Sequence, residues 1–109
     1  NEAKERLLGV APETISDYGV VSRQTAAEMA AGAAKTAHTM IALSSTGVAG
    51  PDGGTKEHPV GDVYLGCCYN GSVMTQHMLG CGSRTEIRQQ AVAAAFSLLE
   101  KMLTEEKIL

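Results

Sequence analysis

Ser44-Ser45-Thr46-Gly47-Val48-Ala49-Gly50-Pro51-Asp52-Gly53-Gly54-Thr55 is the stretch on which the reading of this chain turns. It follows Met40-Ile41-Ala42-Leu43, so the spacing predicts a short buried strand over 40–45 that ends abruptly in a glycine-rich loop. Pro59-Val60-Gly61 then leads into the next apolar run. Five of the twelve glycines fall between Gly47 and Gly61. Glycine admits positive φ and lets the backbone approach a ligand closely. Successive N–H groups and hydroxyls in such a loop form an anion-binding concavity. The plain alternative is a long connection between two strands, but long loops in compact domains often carry function, and binding is the favoured reading.

The loop is not a P-loop, because Lys56 follows Thr55 instead of preceding it, and the glycine spacing differs. A Gly-x-Gly-x-x-Gly dinucleotide signature is also missing. What remains is a cradle of backbone amides for a phosphate or carboxylate, with Thr46 and Thr55 as hydroxyl donors.

Outward from the loop, Asp62 to Tyr69 alternates, with Val63, Leu65, Cys67 and Tyr69 on one face. Asn70-Gly71 signals a type I′ hairpin, and Ser72 to Leu79 is its return strand. Ser83-Arg84-Thr85-Glu86 matches the capping box and opens a helix to about Thr104 or Glu106. Ile87, Ala91, Ala94, Leu98 and Met102 form its buried stripe, widened by Ala95 and Leu99. Upstream, Ser22 is the N-cap of a helix to about Ala37 whose face is Ala26, Met29, Ala30, Ala33 and Ala37. Ala11-Pro12-Glu13-Thr14 is a turn or short helix start, and Glu2 to Leu8 is a helix end stopped by Gly9. Helices on both sides of a hairpin predict an α/β fold: one layered α/β/α domain over 1–109 with a mixed sheet, its N-terminal elements lacking.

A chain of 109 residues with 44% hydrophobic residues can bury a modest core. With three Tyr, one Phe and no Trp, that core must rest on Ala, Val, Leu, Ile and Met. A net charge of −3 disfavours a nucleic-acid partner. No apolar run reaches membrane-spanning length, so no membrane partner is expected. The charged start, Asn1-Glu2-Ala3-Lys4-Glu5-Arg6, lacks the apolar centre of a signal peptide. Cys67, Cys68 and Cys81 make a poor disulfide framework and fit reduced, buried small hydrophobes in a cytoplasmic protein.

The remaining candidates are weaker. Lys4, by local sequence, is a solvated surface charge, since Arg6 two residues on does not share its helix face. Arg84 and Arg88 stand at i and i+4 in the first turns of the last helix, where cations oppose the dipole. They either face an external anion or a buried carboxylate, or are simply exposed. His38, His58 and His77 are scattered at no ligand spacing, so no metal is expected; His58, in the loop, is a conceivable substrate contact. Ser44 and Ser45 end a strand without a His–Asp set.

Taken together, Thr46 to Thr55 and the following Pro59-Val60-Gly61-Asp62-Val63-Tyr64 closely resemble the signature of the CinA C-terminal domain family. Asn1 to Val10, Gly19-Val20-Val21-Ser22 and Arg84-Thr85-Glu86-Ile87-Arg88 resemble further family stretches, so the resemblance runs in order through essentially the whole chain. It implies a nicotinamide-nucleotide amidase, cleaving nicotinamide mononucleotide to nicotinate mononucleotide and ammonia in pyridine-nucleotide recycling, with no metal and no cofactor. It implies a serine nucleophile with a lysine base, and the lysine carries over to Lys4. Thr46 is the hydroxyl placed closest to substrate. The loop, through Ser45, Gly47, Ala49, Gly50, Gly53, Gly54 and Thr55, would hold the phosphate or ribose. Arg84 and Arg88 carry over as phosphate or structural contacts. A small nucleotide is thus the expected partner, and a homo-oligomer the expected assembly.

The sequence departs from the family in four ways. The Ser-x-Thr-Gly-Gly segment that holds the family's nucleophile, and the Tyr-Ser before Asn1, are absent. Ser83 replaces a common acidic residue, and His58 a common lysine. The amidase reading therefore places the serine outside this chain. The competing reading is an inactive nucleotide-binding or accessory module of the same family. A nucleic-acid-binding competence factor is disfavoured by the acidic balance.

Overall fold

The computed structural model describes residues 10–105. The helix end expected over 2–8, and Lys4 with it, lie outside the described residues. Helix α1 spans Pro12–Tyr18 and α2 Arg23–Ala37; strands β1, β2 and β3 span Ile41–Gly47, Asp62–Tyr69 and Ser72–Leu79; α3 spans Arg84–Glu105.

The Asn70-Gly71 turn behaves as its composition predicts. Both residues take positive φ, 48° and 87°, the conformation of a type I′ turn, and Tyr69 pairs with Ser72. The strand order is β1-β2-β3. Both pairings are antiparallel, so the sheet expected to be mixed is antiparallel in its described strands. The physical reason is the connection 48–61. It doubles back as a long hairpin loop and never crosses the sheet as a parallel pairing requires. The layered α/β class itself holds.

Central strand β2 is packed on both faces. Val63, Leu65 and Cys67 join Ile87, Leu98 and Met102 of α3 in one core, with Tyr69 packed against it. Cys68 points the other way, onto Ala30 and Ala34 of α2. The adjacent cysteines thus serve opposite layers as buried small hydrophobes, whereas Cys81 is exposed, against expectation. Burial pushes the Cys67 thiol above its ordinary value, and neighbouring Cys68 adds to the shift.

Helix α2 starts where the sequence places it, with Thr25 N–H donating to the Ser22 hydroxyl at 3.1 Å. Its buried residues are Thr25, Ala26, Met29, Ala30 and Ala34. Ala33 is only half-buried and Ala37 exposed, because the 26–30–34 row, one turn apart per step, is the ridge that meets the sheet. The contact is close. Ser44 Oγ donates to the Ala26 carbonyl at 2.6 Å, and a Cβ at Gly66 would strike that same carbonyl.

Helix α1 has no side-chain N-cap of its own. Glu28 of α2 anchors its start instead, accepting the Ala11 N–H at 2.8 Å and the Thr14 hydroxyl. At α3 the capping box forms reciprocally, with Glu86 N–H donating to Ser83 Oγ at 3.2 Å and Ser83 N–H to Glu86 Oε1 at 2.9 Å. Those two bonds hold the Glu86 carboxyl below its ordinary value.

Replacing Gly66 with Val is expected to force α2 off β2 and to cost about 1–3 kcal/mol, the usual range for overpacking a tight interface. A lowered urea midpoint with unchanged slope checks it; an unchanged midpoint would show that the helix–sheet spacing is slack.

Candidate functional site

The site is built at the C-terminal end of β1, which runs two residues further than expected. Thr46 pairs with Tyr64 and Gly47 with Val63, so both belong to the strand, and the loop begins at Val48. Gly47 has no room for a side chain: a Cβ would lie 2.5 Å from the Asp62 carbonyl oxygen and 2.8 Å from Val63 Cα.

Alternation along β1 sends Ser44 and Thr46 toward the α2 side. The Thr46 hydroxyl, buried, donates to the Val20 carbonyl at 2.8 Å. Leu43 packs in the opposite layer, toward α3. Between the end of β1, the segment before α2 and the first turns of α3 lies a cleft of about 310 Å³. Ser45, Thr46, Gly47, Ala49, Arg84 and Arg88 all contribute to its wall. A neighbouring groove of about 340 Å³ shares Ser45, Arg88 and Ala91 with it. Such volumes are at the small end of small-molecule sites.

The two arginines have different tasks. Arg84 donates from Nη1 to the Gly50 carbonyl at 2.9 Å and ties the near limb of the loop to α3. No carboxylate among the described residues forms an ion pair with Arg88, which lines both hollows. A guanidinium at the positive end of a helix, beside small residues, favours an anion there.

Gly53, Gly54 and Thr55 do not line this cleft. They form the exposed outer part of the loop. Thr55 N–H donates to the His58 carbonyl at 2.9 Å, and its hydroxyl accepts the His58 N–H at 2.9 Å, closing a tight turn. Gly53 takes φ +93°, and a Cβ on Gly54 would lie 2.9 Å from Val60 N. Their glycine identity thus serves the shape of the loop. Gly50, buried with φ +82°, meets the cleft only through its carbonyl bond to Arg84.

One cluster escaped the sequence reading. Asp62, 4% exposed, opens β2. Its Oδ2 lies 2.7 Å from His58 Nδ1, and its Oδ1 is bonded by His77 Nε2 of β3. Tyr64 stacks on His77 with centroids 4.5 Å apart and meets His58 edge-on. The histidines are far apart in sequence at no ligand spacing, yet the two-residue turn fixes Tyr64 opposite His77. Pairing positions outward from Asn70-Gly71 would have found the contact. Burial raises the Asp62 carboxyl, but the hydrogen bonds and charges of His77 and His58 outweigh it and hold the carboxyl below its ordinary value. Among the described residues, no group of three His, Cys, Asp or Glu side chains is arranged to hold a metal, and no helix is long and apolar enough to cross a membrane.

A family model, the CinA C-terminal domain, matches residues 1–103. Over 101 residues the chain is 54% identical to a Clostridium acetobutylicum protein whose name calls it competence-damage inducible, covering 93% of this chain and 25% of that protein. It is 50% identical over 103 residues to a CinA-like protein of Kosmotoga olearia, covering 94% of this chain and 25% of the relative. Among solved structures, the competence/damage inducible protein CihA from Agrobacterium tumefaciens superposes with a TM-score of 0.86 at 45% identity, covering 93% of this chain and 62% of that one. A CinA superfamily protein from Escherichia coli gives a TM-score of 0.87 at 32% identity, over 94% of this chain and 60% of its own. The chain therefore spans about a quarter of the length of the curated relatives it matches.

A carboxyl whose folded-state value is lowered adds stability above its unfolded value, near about 3.9, and loses it as pH falls through the folded value. The urea midpoint is therefore expected to drop more steeply below about pH 4 in the wild type than in Asp62→Asn. Parallel acid limbs in the two proteins would remove Asp62 from the acid response.

Proposed function

The chain belongs to the CinA C-terminal domain family, and on that footing we propose that it forms the nucleotide-binding half of a metal-independent amidohydrolase. The reaction is hydrolysis of nicotinamide mononucleotide to nicotinate mononucleotide and ammonia. The observation that carries the reading is the cleft in which two arginines meet the small-residue end of β1. Arg88 has no carboxylate partner among the described residues and stands in the first turns of α3, which suits a phosphate. Gly47, Ala49 and Ala91 leave room beside it. Arg84 holds the loop by the Gly50 carbonyl and shapes the cleft from outside the reaction.

In this mechanism Lys4, neutral, takes the proton of a serine that lies outside this chain, and the serine attacks the carboxamide carbon. The tetrahedral oxyanion needs N–H or O–H donors at the point where its charge develops. The protonated Lys4 gives its proton to the amide nitrogen, ammonia leaves as the acyl-serine forms, and water then hydrolyses that ester to the acid and the free serine. Thr46, in the cleft wall with its hydroxyl on the Val20 carbonyl, is assigned the part of a positioning group beside the substrate.

The second reading, an inactive nucleotide-binding module, draws on a specific observation. The hydroxyl of Ser44 is donated to the Ala26 carbonyl, an arrangement that ties the strand end to α2.

Ammonia release from nicotinamide mononucleotide by the full-length protein separates the two. We expect release that is abolished by Lys4→Ala, and a KM raised about 10- to 100-fold by Arg88→Ala, the loss of one charged hydrogen bond to phosphate. Absence of release together with intact nucleotide binding by calorimetry favours the module. Gly54→Val, which presses on Val60 in the loop, is expected to weaken nucleotide binding; unchanged affinity would separate loop shape from the cleft.

A further inference from the structure

Asp62 is nearly enclosed, yet both of its oxygens are engaged by imidazoles from two different elements, His58 of the loop and His77 of β3. The imidazoles themselves are 34% and 41% exposed, so solvent protons reach them. We propose that His58, Asp62 and His77 form a proton-strengthened clasp that positions the loop 48–61, and with it one wall of the cleft.

The connection to the cleft runs through the backbone of the clasp. Val48 N–H donates to the Asp62 carbonyl at 3.0 Å, and Gly61 N–H to the Val48 carbonyl at 2.6 Å. These bonds close the neck of the loop, and the next residue, Ala49, lines the cleft. The far end of the loop is knotted at His58 by its two bonds with Thr55. His58 is therefore the point at which the loop tip is tied to the sheet, while Arg84 ties the other limb to α3. Without the clasp, one of the two attachments is lost.

A neutral imidazole donates one ordinary hydrogen bond to a carboxylate. An imidazolium donates a charge-assisted bond about twice as strong, and histidine is the side chain whose charge changes between about pH 5 and 8. Among the described residues, the charges acting on Asp62 are those of the two histidines. Around them stand Tyr64, in ring contact with both, and Arg23, which shares a hollow with His58 and Tyr64 and donates to the Thr75 hydroxyl. Lys56 and Glu57, next to His58 in the loop, are exposed and opposite in charge. The tightening is thus assigned to the imidazoles.

The role toward a bound nucleotide rests on the amidase reading; the clasp itself does not, and its test uses the full-length protein without nucleotide. Amide hydrogen exchange is measured at Val48, Thr55 and Gly61 at pH 6 and pH 8, corrected for the intrinsic rate. Protection in the wild type is expected to be about fivefold greater at pH 6. The double variant H58N/H77Q keeps an amide donor at each position but cannot titrate; it is expected to be protected equally at both pH values. His58→Ala, at a half-exposed loop position, is expected to be poorly protected at both. Should the double variant fail to fold, H58N alone is read in its place, with a reduced pH ratio expected. Equal protection of the wild type at both pH values overturns the proposal. So does an H58N/H77Q protein, or H58N in its place, that keeps the full wild-type ratio. Failure of the amidase reading leaves these exchange ratios unaffected.

Discussion

The close approach of α2 to the sheet governs the rest of the molecule. It depends on the absence of side chains: Gly66 on β2 and a ridge of Ala26, Ala30 and Ala34 on the helix. The closeness lets short polar side chains of β1 reach main-chain carbonyls, Ser44 to Ala26 and Thr46 to Val20. A buried hydroxyl without a partner costs about 1–3 kcal/mol, so these two bonds lock the strand in one register as much as they add stability. A one-residue slip of β1 would turn both hydroxyls into the opposite apolar layer. Ser44 and Thr46 are thereby fixed at the strand end, and Ser45, Gly47 and Ala49 join Thr46 in the wall of the cleft against α3.

The loop that follows is long, glycine-rich and exposed at its tip, a composition that costs conformational entropy to order. Order comes from its two ends and its middle. The Val48–Asp62 and Gly61–Val48 bonds shut the neck, Arg84 grips Gly50, and His58 with Asp62 secures the far side. The glycines are thereby divided in purpose. Gly47 allows two strand backbones to meet, while Gly53 and Gly54 let the outer turn fold over Val48 and Val60. The expectation that the whole run cradles an anion treated these as one feature, whereas only the strand-proximal part reaches the cleft.

This division explains what the sequence made legible. Elements with local signals matched closely: β2 and β3 to the residue, the Ser22 and Ser83 caps, and the Ile87–Leu98–Met102 stripe. Features decided by tertiary pairing did not. The extension of β1 through Gly47 depends on its partner Val63, and the antiparallel sheet depends on how the 48–61 connection returns. Ala33 and Ala37 fit a helical period but lie off the ridge that the sheet selects. The histidine clasp was hidden because its members are distant in sequence, although the Asn70-Gly71 turn contains the register that joins them. At the end of β1, Ser45, Thr46, Gly47, Ala49, Arg84 and Arg88 share the wall of one cleft.

The arginines show how a fold can hold positive charge in reserve. Each cation in the first turns of a helix opposes the dipole by about 0.3–1 kcal/mol. Glu86 offsets part of that at the solvent side, where its carboxylate closes the capping box. Arg84 offsets its share through the Gly50 carbonyl. Arg88 has no ion-pair partner among the described residues, and it sits where two hollows join, beside Ser45 and Ala91. Under the amidase reading, a phosphate at Arg88 would meet helix dipole and guanidinium acting on the same charge, and the cost of placing a cation against the dipole would then count toward affinity for that anion.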